Sequence, residues 1–516
     1  MSFAKVFSAQ NYLLESHIVD IEVDLSRGLY SFSVVGLPDK AVEESRDRIS
    51  SAIKNSGFES PKQKNEKVVI SLAPAHIKKE GTHFDLGIAV GYLLASDDIR
   101  QTHLDKILFL GELSLDGTVR ETYGVLPLVH EAKKKGFKEV FVPQANADEA
   151  SLISGLIIYP VKTLHEVFMH FKSIAENNTE HLLAPHCETI IDRDNGEAEK
   201  NDLSFIKGQE IAKRALVIAC AGGHNLNLYG PPGTGKSMLA KTCSGILPQL
   251  SFDDVIEVTS IHSAAGQLRG SYVINPPIRS PHHTASYVSL VGGGATPKPG
   301  EITLAHKGIL FLDEFPEFDR KVLEALREPL EEKTIRISRA KGTVTFPADI
   351  ILISAMNPCP CGFYGSQNKP CICSPQSRER YAKKLSGPIV DRIDMWVEVE
   401  HIPHEKLLSK ESSGMSSMDA RMIIEKARAI QKSRFEKLNI KTELNSRIPA
   451  HEIERVCNYS TDAINILKNA GEKLHLSPRA YHRILRLART IADLEESEVL
   501  EKEHVLEALQ YRPKEF

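Results

Sequence analysis

The eight residues GPPGTGKS, Gly230 to Ser237, follow a short apolar run, HNLNLY, and open a helix-like one, SMLAKTCSGIL. Strand, glycine-rich turn and helix in that order is the setting in which a phosphate loop works. Its backbone N–H groups curl around phosphate oxygens, and the helix N-terminus adds positive potential. Gly230, Pro231, Pro232, Gly233, Thr234 and Gly235 form the cradle, Lys236 is placed to hold β- and γ-phosphates, and the Ser237 hydroxyl to ligate Mg²⁺. The loop therefore predicts an α/β domain with ATP and Mg²⁺ as its ligands.

Two later segments complete such a site. GILFLDEF is an apolar strand ending in two acids, where Asp313 can hold the Mg²⁺ shell and Glu314 can polarise an attacking water. DIILISAMN ends in Asn357, which can orient the water or touch the γ-phosphate; the alternative is an Asn capping the turn before Pro358. Arg392 in SGPIVDRIDM and Arg479 in LSPRAYHRILR could stabilise transition-state charge, although lone arginines are commonly surface residues.

At 516 residues the chain has room for roughly three domains of about 150 residues. Residues 1–173 alternate strand-like and helix-like runs and predict an α+β domain; 174–202 read as a polar linker; 203–402 form the α/β core; and 409–516 are helical after a Ser-rich start. The N-terminus lacks a charged segment followed by an apolar run, and LGIAVGYLLA is too short to span a bilayer, so a cytoplasmic location is expected. A net charge of −4 excludes nucleic-acid attraction by bulk charge, leaving local basic patches. One such patch is in EEKTIRISRAKGTVTFPADI, which alternates like a β-hairpin and carries Arg339 and Lys341 near its tip as candidate DNA contacts. A solvated edge hairpin with protective charges is the plainer reading. Arg269, Arg279, His282 and His283 lie in a further insertion, as pore-lining or subunit-contact candidates.

NPCPCGFYGSQNKPCIC, residues 357 to 373, holds Cys359, Cys361, Cys371 and Cys373, half of the eight cysteines. Two C-x-C pairs can give four thiolates to one structural Zn²⁺, though C-x-C is tighter than common zinc spacings; reduced free thiols or a disulfide pair are the alternatives. Trp396, in the alternating strand DMWVEVE, reads as a core residue.

With these motifs in order, the chain resembles the AAA+ ATPases, and within them the magnesium-chelatase-like YifB/ComM family. The resemblance runs nearly end to end, through VVGLPDKAVEESRDRI, ISLAPAHIKKEGTHFDLGIAVG, IRSPHHTAS, LREPLEE, NPCPCG and LSPRAYHRILRLARTIADL. It implies a multidomain α/β architecture: a Lon-protease-like α+β N-terminal domain, an AAA+ core with a parallel sheet, and a C-terminal helical lid. It also implies a homo-oligomeric ring, typically a hexamer. Asn357 then looks like the first sensor, Arg392 like an arginine finger acting on the neighbouring subunit's nucleotide, and Arg479 like the second sensor, brought to the nucleotide by the lid. In the Lon-like region the Ser and Lys positions fall on His83 and Leu126, so no peptidase activity is expected. Family members are associated with DNA branch migration in natural transformation, which makes branched DNA and recombination proteins the expected partners. A chelatase-like or chaperone-like motor remodelling a protein is the alternative.

Overall fold

A computed structural model describes residues 3–12, 15–100, 104–189, 201–294, 298–339, 342–365, 369–402 and 414–513. They divide into two compact units: Met1–Asp192 with Phe252–Val273, and Arg193–Ser251 with Ile274–Phe516.

The first unit is a mixed seven-stranded sheet in the order Ser31–Val35, Glu66–Ala73, Glu15–Arg27, Phe3–Tyr12, Ile107–Phe109, Glu139–Pro143, Ile157–Val161. Glu66–Ala73 buries every second residue, as a strand with one covered face must. Against one face lie helices Lys40–Asn55, Asp85–Ala95 and Leu164–Ala175. The run LGIAVGYLLA lies within Asp85–Ala95, a helix buried all round inside this unit. On a second apolar cluster, Val125, Leu128 and Val129 of helix Val125–Lys134 pack with Leu108, Val140 and Ile158, and Ile256 joins them.

Ile256 belongs to helix Phe252–Ala264, which sequence reading placed in the 203–402 core. It packs in the first unit because Val255, Val258 and Ile261 are buried there and because Ser263 meets a buried carboxylate. Glu149 accepts from Ser263 Oγ, from Leu126 N at 3.0 Å and from Asn146 Nδ2 at 3.2 Å, while Ser263 Oγ accepts from Gly124 N at 3.0 Å. Burial raises the Glu149 pKa, and these donors oppose the rise. The expected linker is also partly anchored: His186 N donates to Ile158 O at 2.8 Å and Thr189 N to Ser151 O at 3.1 Å.

The second unit is built on a five-stranded parallel sheet in the order Ile278–Arg279, Ile309–Leu312, Ile351–Met356, Leu226–Tyr229, Met395–Glu398. ILFL and ILISAM are buried at every residue, as strands covered on both faces require. Trp396 is buried in the edge strand. Helices Ser417–Leu438, Thr461–Lys473, Pro478–Leu494 and Lys502–Gln510 make the C-terminal part all-helical and share one apolar core with the sheet and helix Glu210–Gly222. The expected hairpin is present, with Thr334–Arg339 paired antiparallel to Gly342–Pro347. Among the described residues no helix is long and apolar enough to cross a membrane.

Candidate active site

The phosphate loop begins at the carboxyl end of strand Leu226–Tyr229, an inner strand of the parallel sheet, the end at which open α/β sheets bind ligands. Gly230 can be nothing larger: a Cβ there would sit 2.2 Å from the Val399 carbonyl oxygen. Helix Lys236–Lys241 starts directly after Gly235; the helix-like run divides after it, Cys243–Ile246 forming a separate turn.

Lys236 is buried, and its ammonium donates to Gly230 O at 2.7 Å, Pro231 O at 2.8 Å and Asn357 Oδ1 at 3.3 Å. Desolvation pulls its pKa down to about 8, and the Asp313 carboxylate only partly opposes this. The acceptors this ammonium meets are two backbone carbonyls and an amide oxygen, so a triphosphate would supply the anion that pairs with it directly. Ser237 Oγ donates to Asp313 Oδ2 at 2.5 Å, so two hard oxygen donors meet at one point, the donor chemistry that Mg²⁺ takes. The residues present therefore fit a Mg²⁺-nucleotide. Asp313 Oδ1 also accepts from Glu314 N at 2.9 Å.

Glu314 has φ of 51°, a left-handed conformation uncommon for a residue with a side chain and one that collects at functional sites. Its Oε2 lies 3.0 Å from His283 Nδ1, and the His282 and His283 rings lie 4.2 Å apart. His283 was visible in the sequence only as a histidine in a basic insertion, and its partner is thirty-one positions away. Arg279 pairs with Glu301 through contacts of 2.6 and 2.8 Å.

Arg392 and Arg479 converge on Glu331. Arg392 Nη2 reaches Glu331 Oε2 at 2.6 Å and Arg479 Nη2 reaches Oε1 at 2.6 Å, while Arg392 Nη1 donates to Pro388 O at 2.5 Å. The Glu331 pKa is lowered: burial opposes this, and the two guanidinium groups outweigh burial. The cleft around them, about 550 Å³, also receives Lys333, Arg447, Arg483 and Arg486, and its lining contains no residue of the phosphate loop. Within this chain the second-sensor candidate thus lies beside the finger candidate, with Glu331 between them. Glu331 belongs to LREPLEE, and no local spacing links it to residues 61 and 148 positions away.

Sγ of Cys359 lies 3.4 Å from that of Cys361 and 3.7 Å from that of Cys371, with Cys361 and Cys371 3.6 Å apart; Cys373 joins them, all four within 4.8 Å of one another. Four thiolates about 2.3 Å from a tetrahedral Zn²⁺ stand about 3.8 Å apart. All four are free thiols. Arg339 pairs with Gly342 at the end of the hairpin ladder, but its side chain, like the whole of Lys341, lies outside the described residues. In the first unit Leu126 is fully buried and His83 is partly buried, its pKa held down to about 4 by desolvation.

Three family models match in succession: "Subunit ChlI of Mg-chelatase" over residues 21–146, "Magnesium chelatase, subunit ChlI" over 202–407, and "Magnesium chelatase, subunit ChlI C-terminal" over 414–512. The chain is 44% identical to competence protein ComM of Haemophilus influenzae, across 99% of this chain and 98% of that protein. It is 41% identical to YifB of Escherichia coli across 96% and 94%. A more distant match, 24% identical, aligns 72% of the chain with 50% of DNA replication licensing factor mcm7-B of Xenopus laevis. The phosphate-loop sheet and these end-to-end likenesses place the chain in the ComM/YifB family of magnesium-chelatase-like AAA+ ATPases.

Proposed function

We propose that the chain is a ring motor that hydrolyses ATP to drive branch migration of DNA. The observation that carries the ATP-hydrolysing part of this reading is the meeting of Lys236 with Asn357 and of Ser237 with Asp313 at the end of one parallel sheet. When bound, Mg²⁺-ATP supplies the phosphoanhydride bond and the cation that screens it. Lys236 holds the phosphate oxygens, Ser237 and Asp313 hold the cation, Asn357 orients water, and Glu314 takes the water's proton. Arg392 and Arg479 serve the phosphate of a neighbouring copy, which fits their place away from this chain's own phosphate loop. That division of parts calls for a ring, read as a hexamer, with the C-terminal helices as its lid. The N-terminal unit acts as a Lon-like assembly domain without peptidase chemistry, because His83 and Leu126 stand where the serine nucleophile and the lysine base would be and neither does its counterpart's chemistry. The hairpin at 334–347 offers its tip to DNA phosphates, and the four thiols hold one structural Zn²⁺. The likeness to a protein named for competence supports the DNA reading, and a place in the cytoplasm beside recombination proteins completes the proposal.

The test measures ATPase rate alone, with unfolded protein, and with single-stranded, duplex and branched DNA, alongside dissociation of labelled junctions. Stimulation by branched DNA with junction dissociation is expected. Stimulation by unfolded protein alone would favour the second reading, a chelatase-like motor on a protein partner, to which the three matched family models point. Glu314→Gln should keep nucleotide binding and lower turnover by about 10²-fold or more.

A further inference from the structure

The zinc reading has a consequence for the nucleotide site. We propose that metal bound by Cys359, Cys361, Cys371 and Cys373 sets the shape of the phosphate loop, so that losing the metal weakens nucleotide binding. This rests on the assignment of the four thiols to Zn²⁺.

Two short covalent routes join the thiols to the phosphate-binding residues. Cys359 is buried and is separated from Asn357 only by Pro358, and Asn357 Oδ1 receives the Lys236 ammonium at 3.3 Å. Cys361 is followed by Gly362, which lies directly against the phosphate loop: a Cβ on Gly362 would stand 2.6 Å from Pro232 Cδ and 3.8 Å from Asn357 Cγ. Gly362 N donates to Cys359 O at 2.9 Å, closing a tight turn around the first pair of thiols, with Gly362 at φ of 83°.

Beyond Gly362 the described residues of the loop put little into a core. Ile372 is 85% exposed and Tyr364 is 45% exposed. The Phe363 and Tyr364 rings carry Lys369 and Arg378 over their faces, at 4.7 and 4.2 Å, rather than entering a core. A segment without its own apolar core needs a staple, and a closed tetrathiolate site provides one. Removing it frees Gly362 and Asn357 together, and a phosphate loop whose supports move must be ordered at the expense of ligand affinity.

The experiment uses the full chain. Zinc per chain is measured by mass spectrometry on freshly purified protein. Binding of a fluorescent methylanthraniloyl-ATP is then followed before and after zinc is stripped with a mercurial and chelator, the mercurial being removed from the thiols with excess small-molecule thiol and Mg²⁺ restored to excess before the measurement. The expected result is one zinc per chain and about tenfold weaker nucleotide binding on stripping, reversed by Zn²⁺ alone. Far less than one zinc would overturn the metal site itself. Full zinc with unchanged affinity after stripping would overturn the brace and leave the metal site standing. Should stripping unfold the chain, the double variant Cys371→Ser, Cys373→Ser carries the test: zinc lost with weakened nucleotide binding supports the brace, and zinc lost with unaltered binding overturns it. Lys236→Ala, measured in parallel, keeps its zinc and loses nucleotide, which separates failure of the brace from failure of the nucleotide site.

Discussion

The surroundings of Lys333 work against its proton. Its pKa is brought down to about 7 from 10.5, first by burial and then by Arg447, with Lys307 adding to the drop and Asp349 opposing it. Asp349 faces three cations: Arg447 at 2.5 Å, Lys333 at 3.7 Å and Lys307 at 3.8 Å. Between pH about 7 and 10.5 the unfolded chain keeps a proton on Lys333 that the folded chain has released, so this residue makes stability rise with pH across that window. Lys333→Met should therefore flatten the pH dependence of Tm between pH 7 and 10 relative to the parent chain. An identical slope in both would show that Lys333 keeps its proton on folding. At this scale the sequence was most legible where chemistry is local. Lys236 and Ser237 lie within one eight-residue motif, and Asp313 and Asn357 each end an apolar strand. The Glu331 bridge and the His283 contact to Glu314 escaped because they join residues far apart in sequence, which only the fold brings together.

Among the elements, the hairpin Thr334–Pro347 has two faces of different worth. Ile335, Ile337, Val344 and Phe346 are buried on one, and Arg336, Ser338, Thr343 and Thr345 are exposed on the other. Phe346→Ala should cost about 3–5 kcal/mol of stability in denaturant titration. Arg336→Ala should leave stability within about 0.5 kcal/mol and, where the hairpin tracks DNA phosphates, reduce the salt slope of DNA binding by about one. An unchanged slope would remove Arg336 from the DNA path. The hairpin was readable in advance because alternation of period two needs no distant partner. Helix Phe252–Ala264 was readable as apolar but not as to its destination: periodicity reveals a face to be buried and leaves open which core receives it.

For the whole molecule, separating Arg392 from the phosphate loop predicts complementation between copies. Arg392→Ala and Lys236→Ala should each be inactive alone, and a mixture should recover measurable ATPase, since one chain keeps the phosphate loop and the other the arginine. A mixture as inactive as its parts would place both groups at one chain's own nucleotide.

The excursion of Phe252–Val273 into the first unit means that the backbone passes between units after Asp192, before Phe252 and after Val273. The halves are thus stitched by three threads, and nicking the polar stretch near Asp192 cuts only one. Limited proteolysis there should yield two fragments on a denaturing gel that still co-elute under native conditions. A chain begun at residue 203 should be poorly soluble, because it would carry Val255, Val258 and Ile261 away from the core that buries them.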